Sequence, residues 1–493
     1  YRVADLFVCL SEHEGFCMPL IEAMVHDVPV VAREAGALAS TVGEGGLLLR
    51  ADLSDAREIA AVWHTLVSEP GLRRQVIAGQ RRNLARFAPA RLLRELAAYL
   101  QTLGYAVPAA PAEVPTAEPA PYWQVEGPID SSYSLAIVNR ELGLALAARG
   151  RDVGLFRPTG TDGGSLDPQW LHKHAPAALP LAERAEVRRS QGIGPSVRLR
   201  FNYPPWVDGM GAEARVVHSY GWEESAFPEP YVAAFNRGLD MVTTLSAQVR
   251  KILRDSGVNV PIAVVGTGVD HVLRETPRAV ALPDEAHASF RFLHVSSCFP
   301  RKGIDVLLAA YGKAFRAEDD VALVIKTFPN PHNDVAEQLA AARAQDPGYP
   351  RVVLIDEELP QDQLMWLYRY CHAFVAPSRG EGFGMPMAEA MLFGLPVIVT
   401  AWGGQTDFCT PETAWLCDYD FAFAQSHMGV PHSLWAEPRA DHLAELMREV
   451  RHADPQVLRV RTAAARERVL RDYPWDRVAE RTERAIQRLA AAP

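Results

Sequence analysis

The run Ser378-Arg379-Gly380-Glu381-Gly382-Phe383-Gly384-Met385-Pro386-Met387-Ala388-Glu389-Ala390-Met391 places a loop, a helix start and two carboxylates within fourteen residues. It follows Ala373-Phe374-Val375-Ala376, a continuous apolar run of the kind found in strands buried on both faces. The loop therefore sits at a strand's carboxyl end. Pro386 suits the first residue of a helix, where no N–H is needed. Gly382 and Gly384 let the backbone come close to a ligand. A helix N-terminus offers free N–H groups and a partial positive charge, which suits a phosphate. Glu381 lies on the loop and Glu389 is expected in the first helical turn, so the two carboxylates flank one helix start. Carboxylates accept hydrogen bonds from sugar and ribose hydroxyls.

Working outward, apolar runs alternate with helical periodicity. Strands are expected at 291–295, 322–325, 352–355, 373–376 and 396–399, with helical spacing of Ile304, Leu307, Leu308, Tyr311 and Phe315, and later of Leu443, Leu446, Met447 and Val450. An earlier block from Tyr122 to about Gly268 holds a helix over 132–149, a strand at 152–156 and a strand ending at His218. Such alternation predicts parallel, doubly wound sheets, hence an α/β chain with two Rossmann-like domains facing a cleft. The expected domains are 122–270 and 271–493. Ligands of open parallel sheets bind at the strands' carboxyl ends.

Toward the amino terminus, Glu14-Gly15-Phe16-Cys17-Met18-Pro19 resembles Glu381-Gly382-Phe383-Gly384-Met385-Pro386 at an offset of 367 residues. The same offset pairs Ser11 with Ser378, Glu22-Ala23-Met24 with Glu389-Ala390-Met391, Pro29 with Pro396 and Gly36 with Gly403. Residues 1–106 thus read as the C-terminal part of an upstream copy, joined through a Pro/Ala-rich linker at 107–121. This copy keeps Glu14 and Glu22, but Cys17 and Asp27 stand where the complete copy has Gly384 and Gly394. As given, this copy does not complete a cleft.

Composition narrows the function. The chain of 493 residues is 48% hydrophobic and 22% charged, with a net charge of −10. A general nucleic-acid binder carries a basic excess instead. No apolar run approaches the ~18–20 residues of a membrane span. The chain starts at Tyr1, without Met, and reads as a piece of a longer polypeptide. Six scattered cysteines without CxxC spacing suggest reduced thiols and a cytoplasmic setting. The arginines Arg73, Arg74, Arg81, Arg82, Arg86, Arg91 and Arg94 read first as a solvated helix face; the alternative is contact with anionic lipid at the inner face of a membrane.

The pattern of two glutamates eight positions apart inside Glu-Gly-Phe-Gly-x-Pro, followed by Glu-Ala-Met and Gly-x-Pro-Val, resembles the family-4 retaining glycosyltransferases of the GT-B type. The resemblance implies a donor-sugar contact for Glu381 and a ribose contact for Glu389. Gly382, Phe383, Gly384 and Met385 would line the donor, Gly384 and Met385 through their amides. Ser296-Ser297-Cys298-Phe299-Pro300-Arg301-Lys302-Gly303 is similar to the family's diphosphate-binding segment. Lys302 matches its lysine, Ser297 stands in place of the usual arginine, and Arg301 is a candidate to compensate. His218 resembles the histidine that reaches the reaction centre, and Glu14 and Glu22 are the first-copy equivalents of the two glutamates. Trp475 is expected to anchor the terminal helix that, in relatives, crosses back to the N-terminal domain. The resemblance implies a nucleotide-sugar donor, a glycan or lipid-linked acceptor, bacterial surface-polysaccharide synthesis, and no cofactor or metal. Blander readings stand beside these: Glu389 as a helix-dipole carboxylate, Lys302 as a solvated lysine, His218 as a satisfied core histidine. The alternative functions are a non-catalytic sugar-nucleotide-binding module and a phosphorylase or epimerase on the same architecture.

Overall fold

A computed structural model of the chain describes residues 1, 3–103, 121–158, 166–426 and 428–490. The expected linker at 107–121 lies outside them except for Pro121. The chain divides into two compact units, one of Tyr1–Ala120 with Asp208–Glu213, the other of Pro121–Val207 with Ala214–Pro493.

The first unit is built on a parallel sheet of three strands in the order Phe7–Cys9, Val30–Arg33, Leu47–Leu49. Leu20, Ala23, Met24, Val30, Leu38 and Val42 form its fully buried core. Gln80, wholly buried, accepts from the Val30 amide (3.0 Å) and donates to the Val28 carbonyl (2.9 Å), satisfying backbone groups next to that core. Helix Met18–Val25 falls on helix Met385–Leu392 at the 367-residue offset, and strand Val30–Arg33 falls on Val397–Thr400. Of the basic run, Arg81 is paired with Asp27 (2.9 Å) and Arg91 with Glu95 (2.8 Å).

The second unit holds two parallel sheets of six strands each. One runs Asp152–Phe156, Tyr122–Glu126, Val197–Arg200, Ala214–Tyr220, Met241–Thr244, Ile262–Val264. The other runs Arg351–Asp356, Val321–Thr327, Phe290–Val295, Ala373–Ala376, Val397–Thr400, Trp415–Cys417. Strands such as Val321–Thr327 are buried at every position, because helices cover both faces. In each sheet the order reverses beside the first strand of its lobe, between Tyr122–Glu126 and Val197–Arg200, and between Phe290–Val295 and Ala373–Ala376. Loops leaving two adjacent strands at such a switch diverge and open a crevice. Among the described residues no helix is long and apolar enough to cross a membrane.

One feature was not expected from the sequence. An antiparallel hairpin, Tyr419–Phe423 with Leu434–Pro438, leaves the second sheet. The other lobe meets it where the Ser225 amide donates to the Leu434 carbonyl (2.9 Å) and the Leu434 amide donates to Ser225 Oγ (2.7 Å). The terminal helix Trp475–Ala490 does cross back to the other lobe, where it packs on helix Ser134–Ala148, and Glu483, midway along it, takes Arg149 (2.8 Å) and Arg151 (2.6 Å).

Candidate active site

The site grows from the switch point of the second sheet. Strands Phe290–Val295 and Ala373–Ala376 are hydrogen-bonded neighbours, so the turn Pro300–Lys302 and the loop 377–384 emerge side by side. The Arg379 amide donates to the Arg301 carbonyl at 2.7 Å. At Gly303 (φ 68°) a Cβ would lie 2.1 Å from the Pro377 carbonyl oxygen, so only glycine lets the two segments approach this closely. Arg379 clamps the corner from beneath. It is bidentate to Asp305 and to Glu437 of the hairpin, and it donates to the Pro300 carbonyl (2.6 Å).

Held this way, Lys302 Nζ reaches Glu381 Oε1 at 2.6 Å, and Arg301 Nη1 stands 3.5 Å from Glu381 Oε2. Ser378 Oγ donates to Glu381 Oε1 at 2.7 Å. Burial pushes the Glu381 carboxyl up, but Lys302 and Arg301 outweigh it and hold the group below its ordinary value. Burial lowers the Lys302 ammonium, aided by the neighbouring Arg301, so it is a less tightly held proton than a surface lysine's. The other lobe contributes Glu223, whose carboxylate stands 3.2 Å from Arg301 Nη2. A Cβ on Gly382 would lie 3.1 Å from Gly221 Cα, so the segment after strand Ala214–Tyr220 rests on the Glu381 loop.

Helix Met385–Leu392 starts from Gly384 in the left-handed region (φ 92°), with no side-chain cap. Pro386 has no N–H, and the Met387 and Ala388 amides donate to the Gly384 carbonyl (3.0 and 3.2 Å), so the anion-binding character of this helix N-terminus rests on the Met385 amide. Met385 is the first helical residue and Pro386 the second, one position later than expected.

Glu389 corrects the sequence reading. It is the fifth residue of the helix, not in its first turn, and it is 6% exposed. Its Oε2 accepts from the Tyr368 hydroxyl at 2.9 Å. Among the described residues no hydrogen bond or ion pair joins it to Glu381 or Lys302. Burial raises its carboxyl from 4.5 to about 7, because Tyr368 alone compensates little of the lost hydration. With the folded value raised, the unfolded chain ionises first as pH climbs. Stability is therefore full below about pH 4.5 and is lost progressively up to about pH 7. Glu389→Gln should flatten this slope, removing a penalty of up to ~3 kcal/mol above neutrality. Urea melts of both proteins between those limits would measure it; a slope unchanged in the variant would refute the assignment.

His218, Phe383 and Ser297 have partners other than the Lys302–Glu381 pair. His218 is fully buried, with Nε2 2.8 Å from Asn139 Oδ1 and its ring against Phe201. Its strand runs on to Tyr220 instead of ending at His218, so the residues reaching the cleft are Gly221–Glu223. Burial lowers its imidazole to about 3, leaving it neutral. Asn139 also donates to the Pro128 and Phe201 carbonyls, so His218 helps hold the loop after strand Tyr122–Glu126 from inside. The Phe383 ring packs on Phe408 (4.9 Å) and Tyr473 (5.1 Å), a core contact and not a donor surface. Ser297 offers its carbonyl to Asn330 Nδ2 at 2.9 Å. The first-copy residues behave in part as their counterparts do. The Glu14 carbonyl accepts from the Ala37 amide (2.9 Å), as the Glu381 carbonyl does from Gly404 (2.7 Å). Glu22 accepts from the Tyr1 hydroxyl at 2.8 Å.

With this geometry in view, the family profile described as "Glycosyl transferases group 1" matches residues 1–83 and 283–421. Both stretches are thus similar to that family. The second stretch contains the whole Lys302–Glu381–Glu389 region. An MMP α-(1→4)-mannosyltransferase of Mycolicibacterium hassiacum is 27% identical over 258 residues, 51% of this chain and 56% of that protein. The O-antigen chain mannosyltransferase B of Escherichia coli is 34% identical over 107 residues, 22% of this chain and 27% of that protein. The chain spans about half the length, or less, of the curated relatives it matches. Among solved structures, Anabaena HepE in complex with UDP and glucose superposes with a TM-score of 0.53 at 14% identity, covering 74% of this chain and 99% of that one. The fold is GT-B, with two Rossmann-like lobes of parallel sheet.

Proposed function

We propose that the second unit is a retaining glycosyltransferase that takes a hexose from a nucleoside-diphosphate sugar and passes it to a glycan or lipid-linked acceptor. The observation that carries this reading is the buried Lys302–Glu381 pair, 2.6 Å apart, beside a helix start with no side-chain cap. Lys302 and Arg301 would take the charge that develops on the leaving diphosphate, together with the Met385 amide at the start of helix Met385–Leu392. Such preorganised donors stabilise a leaving group without a metal. Glu381 would hold the donor sugar's hydroxyls, and Glu389 those of the ribose. No side chain is assigned as nucleophile, so the acceptor attacks from the face the diphosphate leaves.

The mannosyltransferase relatives, one of them named for an O-antigen chain, favour a role in bacterial surface polysaccharide synthesis at the cytoplasmic side of the membrane. The first unit would be the tail of a second, upstream transferase module. A second reading, donor binding without turnover, is favoured by Ser297, which supplies no cation where the family has an arginine.

The test is a panel of UDP-, GDP- and ADP-sugars. Stabilisation of the protein by one of them, release of the nucleoside diphosphate with and without chelator, and an α-linked product from an α-linked donor are expected. Stabilisation without turnover would favour the binding module, an inverted product would overturn retention, and no response to any nucleotide sugar would overturn the donor assignment.

A further inference from the structure

The first unit carries a cluster that the sugar-transfer reading does not use. Cys9 Sγ lies 3.9 Å from Cys17 Sγ, and the ligand atoms of Cys9, Glu14 and Cys17 all fall within 4.8 Å of one another. Two thiolates bound to one tetrahedral zinc at ~2.3 Å stand about 3.8 Å apart, so the sulfurs need scarcely move. Cys9 is buried, while Cys17 and Glu14 are partly exposed, which leaves a path for an ion and for water as a fourth ligand.

The positions themselves are informative. At the 367-residue offset, Cys9, Glu14 and Cys17 stand where the complete copy has Ala376, Glu381 and Gly384. Two residues without ligand atoms are thus cysteines here, both beside the retained glutamate. Cys17 also occupies the left-handed region (φ 63°), as Gly384 does (φ 92°). That conformation costs energy for a residue with a Cβ, and cysteine has no local hydrogen-bonding habit that offsets it. Asp27, the other such replacement (φ 55°), has its compensation in a paired contact with Arg81 at 2.9 Å. Cys17 has instead Cys9 and Glu14.

We infer that Cys9, Glu14 and Cys17 form a three-ligand site for a thiophilic divalent cation of the zinc class. Binding would form two metal–sulfur bonds and one metal–oxygen bond, and the two thiol protons would pass to solvent. The ion would occupy the place where the complete copy keeps its sugar-contacting glutamate, so metal binding and donor binding would exclude each other in the first unit.

The test is elemental analysis of the purified full chain after zinc addition and gel filtration, with cobalt substitution read by its thiolate charge-transfer absorption. One equivalent of tightly held zinc and a charge-transfer band are expected for the native chain. Both should vanish in Cys17→Gly, which restores the residue of the complete copy and should fold at least as well once metal is stripped. Zinc retained by Cys17→Gly, no zinc in the native chain with both thiols freely reactive, or a disulfide between Cys9 and Cys17 after purification without reductant would each overturn the site. None of these outcomes depends on sugar transfer by the second unit.

Discussion

Glu381→Gln should lower kcat by roughly 100- to 1,000-fold while changing the donor KM far less, as expected for a group whose interaction strengthens in the transition state. The substitution keeps the side chain's shape and an oxygen for the Ser378 hydroxyl, which now bonds Glu381 at 2.7 Å. What it removes is the charge that neutralises Lys302 at 2.6 Å and faces Arg301 at 3.5 Å. Burial already lowers the Lys302 ammonium, and without Glu381 it would fall further, so the cation would be lost at a lower pH than in the native protein. The pH–rate profile of the variant should therefore fall on the alkaline side earlier than that of the native protein. Steady-state kinetics with both parameters at native values would remove Glu381 from the chemistry.

The second large effect is on the junction of the lobes. Trp475 is 4% exposed and begins the terminal helix. A Cβ on Gly268 would lie 2.3 Å from its indole, so the ring fills the space against the segment joining the lobes. Its amide donates to Asp270 Oδ1 (2.8 Å), and its Nε1 donates to His271 Nδ1 (3.2 Å). Trp475→Ala removes this packing and leaves the His271 ring nitrogen without its donor. A loss of about 3–5 kcal/mol is expected, read as a fall of at least several degrees in the Tm of the second unit. Trp475→Phe should recover part of it. An unchanged Tm in the alanine variant would show that the helix is held through Arg149, Arg151 and Glu483 instead.

The sheets were legible because a strand buried on both faces must be apolar throughout, and runs such as Val352–Ile355 and Ala373–Ala376 are. Strand ends were less so. Val217 and His218 continue into Ser219 and Tyr220, and hydropathy does not mark where pairing with strand Met241–Thr244 stops. That two-residue difference moves His218 from the cleft mouth to the interior. Hydropathy does not mark the pairing of Tyr419–Phe423 with Leu434–Pro438, because Phe421 and Phe423 are exposed aromatics without a polar alternation.

Residue order alone was enough for the pairing of loop, helix start and glutamate, since these are neighbours along the chain and local backbone chemistry decides them. It was also enough for the correspondence of Glu14 and Cys17 with Glu381 and Gly384, which is a matter of spacing. Only the tertiary structure could bring Lys302 to Glu381, 79 residues away, or give Glu389 to Tyr368. Those contacts depend on which strands become neighbours at the switch point and on how far each helix turns before its side chain meets another element. The same holds for the two sulfurs of the first unit. Their separation along the chain says nothing of the 3.9 Å between them, because a strand end and a helix cap fold back on each other only once the sheet has formed.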